Sequence, residues 1–221
     1  MKKCFVWLLV LAMLLGCAGA SAEALAGGWN VVENHAEVPQ DLKDAIESLN
    51  QAGIGFKVEP VAVLATQVVA GVNYSVVCKV TEEGEKPSIY FVLAVVYIGV
   101  DGTFSMQAAQ GLPGAEEVTP GLAGGWTVAE NPNEIPEDAK NALNKALDGF
   151  VGSDVQPVLY LGSQVVAGRN HCFLCQLTPV VLNPEPHFAV VTVYQDLQGG
   201  AKILDMLDVD HTLSSLEEEE N

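Results

Sequence analysis

The pentapeptide Gln67-Val68-Val69-Ala70-Gly71 returns unchanged as Gln164-Val165-Val166-Ala167-Gly168, 97 positions further on. Leu25-Ala26-Gly27-Gly28-Trp29 returns as Leu122-Ala123-Gly124-Gly125-Trp126 at the same distance. The same offset joins Glu33-Asn34 to Glu130-Asn131, Pro39 to Pro136, Pro60 to Pro157, Asn73 to Asn170, Cys78 to Cys175 and Val96-Tyr97 to Val193-Tyr194, with no gap from Leu25 to Tyr97. A unit this long is a whole domain, because solenoid units run about 20–50 residues and need several copies to bury a core. Two copies predict two domains, and 221 residues suffice for both.

Around the pentapeptide the first copy reads as one helix followed by strands. Leu42, Ala45, Ile46 and Leu49 keep helical spacing over Pro39 to Ala52, with Asp41 in the first turn and Gly53 at the stop. Pro136 to Leu147 repeats the pattern. Phe56 to Thr66, Val72 to Val80, Ile89 to Ile98 and Thr103 to Ala108 are rich in β-branched and aromatic residues and bounded by Gly, Pro and acidic turns, which predicts strands. Pro60 and Pro157 each remove a ladder donor, so a bulge or an edge is expected there. The expected fold class is α+β, each domain one helix packed on a four- to five-stranded antiparallel sheet. The expected boundaries are a leader at 1–22, a first domain at 23–109, a Gly- and Pro-rich linker at 110–121, a second domain at 122–216 and an acidic tail at 217–221.

Gln67 to Gly71 joins two strands, and Gly71 fits the positive φ of a hairpin turn. A turn explains poorly why two valines, Val68 and Val69, should sit at its edge, where polar residues are usual. At this point each copy resembles the cystatin family, in particular its disulfide-free stefin branch. The resemblance rests on a glycine pair near each N-terminus (Gly27-Gly28, Gly124-Gly125), one helix, a strand, the Gln-Val-Val-Ala-Gly hairpin followed by Val72-Asn73-Tyr74 or Arg169-Asn170-His171, and a further strand pair.

The resemblance implies an inhibitor of papain-like cysteine proteases, in which a wedge of trunk and two hairpins fills the enzyme's active-site cleft. Its contact residues would be Gly27, Gly28, Gln67, Val68, Val69, Ala70 and Gly71 with Asp101 and Gly102 of the second hairpin. In the second copy they would be Gly124, Gly125, Gln164, Val165, Val166, Ala167 and Gly168 with Leu197. The second hairpins depart from the family: Ile98 to Gly102 and Gln195 to Gly200 hold neither the Pro-Trp pair of secreted cystatins nor a stefin-type Leu-Pro. The second copy, read as having the longer second hairpin with Leu197 at its tip, is expected to be the tighter head. The competing expectation is a secreted binding or adhesion module that keeps the fold without inhibiting. Trp29 and Trp126, next to the glycine pairs, are expected to be core or sheet-capping residues.

The chain opens with Lys2 and Lys3, an apolar stretch from Phe5 to Leu15 and small residues through Ala22, the order of an export signal. Cleavage after Ala22 would release a secreted protein. Leu14-Leu15-Gly16-Cys17 also resembles a bacterial lipobox, which would instead anchor the protein at the cell surface through a lipidated Cys17. Lys2 and Lys3 are two of the ten bases, so the mature chain keeps eight against 28 acids, a net charge of −20. Such a surface repels phosphate backbones, and no nucleic-acid partner is expected, nor a membrane unless Cys17 is lipidated. Outside the leader stand Cys78, Cys172 and Cys175. On one strand Cys172 and Cys175 would face opposite ways, so neither a mutual disulfide nor a metal site is expected. No phosphate loop, nucleophile elbow or zinc motif occurs, and neither enzymatic activity nor a cofactor is expected.

Overall fold

The computed structural model describes residues 27–82, 84, 88–112 and 124–214. The leader with Cys17, most of the 110–121 linker and the acidic run at 217–220 lie outside the described residues. The order is β1 (Asn30–Val31), α1 (Gln40–Gln51), β2 (Phe56–Val69), β3 (Gly71–Glu82), β4 (Ile89–Gly99) and β5 (Phe104–Gly111), then β6 (Trp126–Val128), α2 (Glu137–Ala146), β7 (Ser153–Val166), β8 (Gly168–Pro179), β9 (His187–Gln195) and β10 (Ala201–Val209). Among the described residues the protein is therefore α+β, with two helices and two antiparallel five-stranded sheets. The strand orders are β1-β2-β3-β4-β5 and β10-β9-β8-β7-β6.

Each helix starts after a proline, Pro39 or Pro136, whose fixed φ suits a helix entry. Acidic side chains follow in the first turn, Asp41 in α1 and Glu137 and Asp138 in α2, where the helix dipole favours them. The spacing of Leu42, Ala45 and Ile46 puts one apolar stripe of α1 against Val63, Val76, Cys78, Ala94 and Val96 of the sheet. Ala139, Ala142 and Leu143 of α2 do the same against Phe173, Cys175, Ala189, Val191 and Val193.

The strands are longer than their apolar runs. β2 and β7 continue to Val69 and Val166, and β5 continues to Gly111, into the stretch read as linker. At Pro157 the β7–β8 register shifts before Leu159, the irregularity that a missing N–H donor invites. The short strands β1 and β6 supply the fifth strand: Asn30 and Val31 pair with Thr66 and Ala65, and Trp126 pairs with Gln164. They bring the glycine pairs to the hairpin end of β2 and β7.

Among the described residues the chain forms two compact units that do not follow the repeat boundary strictly. The first takes in the residues up to Val80, Val92–Gly111 and those from His211 onward; the second takes in Thr81–Phe91 and Leu112–Asp210. In the first unit the sheet face away from α1 carries Ser75, whose Oγ donates to the His211 carbonyl at 2.5 Å. The His211 ring meets Trp29 edge-on, with centroids 6.4 Å apart, and Leu213 is buried.

Candidate functional site

At one end of the first sheet three segments converge. Gln67, near the end of β2, donates from Nε2 to the Gly27 carbonyl at 2.8 Å, and its Oε1 accepts from Asn73 Nδ2 at 2.8 Å. One amide side chain thus ties the N-terminal segment to both strands of the first hairpin. A Cβ on Gly27 would stand 2.8 Å from the Val68 carbonyl oxygen, so only glycine lets the segment lie this close. From the other side Tyr97 of β4 donates its hydroxyl proton to the Ala70 carbonyl at 2.6 Å, joining the second hairpin to the first. The second unit reproduces every bond: Gln164 to Gly124 at 2.9 Å, Asn170 to Gln164 at 2.8 Å and Tyr194 to Ala167 at 2.6 Å.

The hairpins turn at Ala70 and Ala167, each followed by a glycine at positive φ, +140° at Gly71 and +121° at Gly168. A side chain there would run into the Ile98 or Gln195 carbonyl oxygen, so these glycines permit the two hairpins to touch. Val68 is 65 % exposed and Val165 62 %; Val69 is half-buried, Val166 exposed, and both alanines are exposed. β-Branched side chains in a hydrogen-bonded hairpin hold few rotamers, so this apolar edge is already ordered for docking.

The second hairpins are of equal length, which corrects the expectation of a longer one in the second copy. Gly99 N–H bonds the Thr103 carbonyl at 2.8 Å, and Asp196 N–H bonds the Gly200 carbonyl at 2.9 Å, closing turns that match at the repeat offset. Both tips present one apolar residue to solvent, Val100 at 92 % exposure and Leu197 at 78 %. Asp101 and Gly102 form the turn. Asp101 Oδ1 accepts from Thr103 Oγ1 at 2.7 Å and from its N–H at 3.1 Å, bonds that also lower the Asp101 pKa. Gly102 takes φ +80°. Sequence reasoning missed Val100, although the repeat offset sets it opposite Leu197. It also read Tyr97 and Tyr194 as strand residues only.

The remaining predicted positions lie at the same ends. Gly28 and Gly124 are exposed, and Gly125 is half-buried. Beneath the second unit's hairpins His171 is fully buried, with Nδ1 3.0 Å from the Tyr160 hydroxyl and Nε2 3.3 Å from Gln195 Oε1. The Gln195 oxygen can only accept, so Nε2 carries the proton and Nδ1 accepts from Tyr160. Burial lowers the His171 pKa, the Gln195 bond opposing. The repeat puts Tyr74 in this place in the first unit, with its hydroxyl donating to Asp41 Oδ2 at 3.2 Å; burial and that carboxylate raise its pKa.

Cys172 and Cys175 sit on β8, and Cys175 but not Cys172 joins the core under α2. Cys78, Cys172 and Cys175 are all buried, and none is in a disulfide. Among the described residues no three His, Cys, Asp or Glu side chains gather as a metal-binding group. The convergent end of each sheet offers apolar side chains on a braced backbone, an arrangement suited to docking. The chain matches no protein-family model, and no curated protein matches it.

Proposed function

We propose that the chain is an exported inhibitor of papain-like cysteine proteases, built from two cystatin-like domains that each enter an enzyme's cleft with a glycine trunk and two hairpins. One observation carries the reading: in both units a glutamine ties the glycine segment to the Gln-Val-Val-Ala-Gly hairpin while a tyrosine ties that hairpin to the next. Three apolar segments are thereby held side by side at one sheet end. Such preorganisation reduces the ordering entropy lost on binding, and a few apolar anchors then supply most of the affinity. Val68 and Val100 are the anchors in the first unit, Val165 and Leu197 in the second.

Titration of papain with the full chain tests this, with saturation expected at two enzymes per inhibitor. Replacing Val68, Val69, Val165 and Val166 together by Asp is expected to abolish inhibition with a native circular dichroism spectrum, because each change would bury a charge at the contact. Full inhibition by that variant overturns the hairpin mechanism. A wild-type chain that binds no papain overturns the inhibitory reading and returns the protein to the class of non-inhibitory binding modules.

A further inference from the structure

We propose that His171 is a proton-operated latch on the second unit's wedge, closed when its imidazole is neutral and released when it is protonated, while the first unit's wedge has no such latch. The consequence for inhibition rests on the function proposed above; the latch itself rests on geometry. His171 lies where the two hairpins are rooted. Its Nε2 proton goes to Gln195, the last residue of β9, which pairs with Arg169 at the start of β8. The Gln195 carbonyl is the group that Gly168 must approach without a side chain. Tyr194, next in line, holds the Ala167 carbonyl.

The surroundings suit a neutral ring. From β7 the Tyr160 hydroxyl donates its proton to Nδ1; once Nδ1 is protonated, that proton must rotate aside so that the oxygen can accept. From α2 the carboxylate that acts on the ring is Asp138, already paired with Arg169 of β8 at 3.3 Å, so that anion is shared with a guanidinium. Burial opposes the imidazolium most, and Arg169 opposes it too; the Gln195 bond and Asp138 favour it, but burial outweighs them. Cys172, next in sequence on β8, has its thiol held neutral by burial and offers no countercharge. A proton therefore puts a charge with no counterion of its own in a fully buried site, and the ring gains hydration only by leaving it. Leaving breaks the Gln195 bond at the root of both hairpins. The first unit has Val63, Tyr74 and Ile98 at the corresponding positions, none of which titrates in the histidine range.

The test uses the full chain with one wedge silenced at a time, Val68→Asp with Val69→Asp to isolate the second and Val165→Asp with Val166→Asp to isolate the first. The ratio of their inhibition constants for papain, followed from about pH 7.5 to about 4.5, cancels the enzyme's own pH dependence. Relative to the first wedge, the second is expected to weaken about tenfold per pH unit below the folded His171 pKa, and His171→Tyr is expected to flatten the ratio. A flat wild-type ratio overturns the latch. Nuclear magnetic resonance of labelled wild-type chain decides the latch even if neither wedge inhibits or the variant fails to fold. The Ala167 and Leu197 amides are expected to shift with the His171 titration, at a pKa below about 6.5. Hairpin amides that ignore that titration overturn the proposal, whereas loss of inhibition by both wedges at every pH overturns only the inhibitory reading.

Discussion

Gly71 and Gly168 occupy positions where both backbone angle and space exclude a side chain. Gly71→Ala or Gly168→Ala is therefore expected to cost about 1–3 kcal/mol, read as a lower denaturation midpoint, with the hairpins pushed apart. An unchanged midpoint would show that the hairpins can separate without loss. The positive φ of these glycines was legible in sequence because a turn is local. The roles of Gln67 and Tyr97 were not, although both residues recur in the second copy. Their partners lie 40 and 27 residues away, Gly27 and Ala70, and only the folded sheet reveals them. Val100 was hidden for a different reason: Asp101-Gly102 dominates the reading of that turn, and the exposed apolar residue stands just before it. The His171 shift adds a pH dependence of stability. Its pKa is lowered on folding, so the unfolded chain binds the proton more tightly. This contribution is complete above about 6.5 and is lost as pH falls through the folded value.

At the scale of elements the helices were the most legible, since one apolar stripe at helical spacing admits one reading. The strands carried a second message that alternation alone does not cover. Phe91 to Val96 and His171 to Cys175 are buried without a break. An uninterrupted apolar run is what a strand covered on both faces looks like. A helix on one face was expected, and the burial of the other face was not drawn from those runs. The two-residue β1 lacks enough sequence to show any period and owes its place to pairing with Ala65 and Thr66. Double-sided burial also governs the thiols. Desolvation pushes Cys78 and Cys172 up to about 12 and raises Cys175 as well. All three are expected to stay silent to a thiol reagent in the native protein at about pH 8 and to react together on unfolding. Fast reaction of any one without denaturant would place it outside the core.

For the whole molecule, the repeat made two similar sheets legible, yet the first compact unit also contains the residues from His211 onward. No local pattern in the first repeat announces that partner. Ending the chain at Asp210 removes the bond to Ser75, the ring against Trp29 and the burial of Leu213. That truncation is expected to destabilise the first unit by about 2 kcal/mol or more, seen as faster amide exchange near Trp29 and Ser75 than in α2. Equal protection in both chains would show that those contacts contribute nothing. There is also a consequence for the timing of synthesis. A ribosome adding about 5–20 residues per second needs roughly 5–20 s to move from Gly111 to Leu213, so the unit translated first is the one completed last.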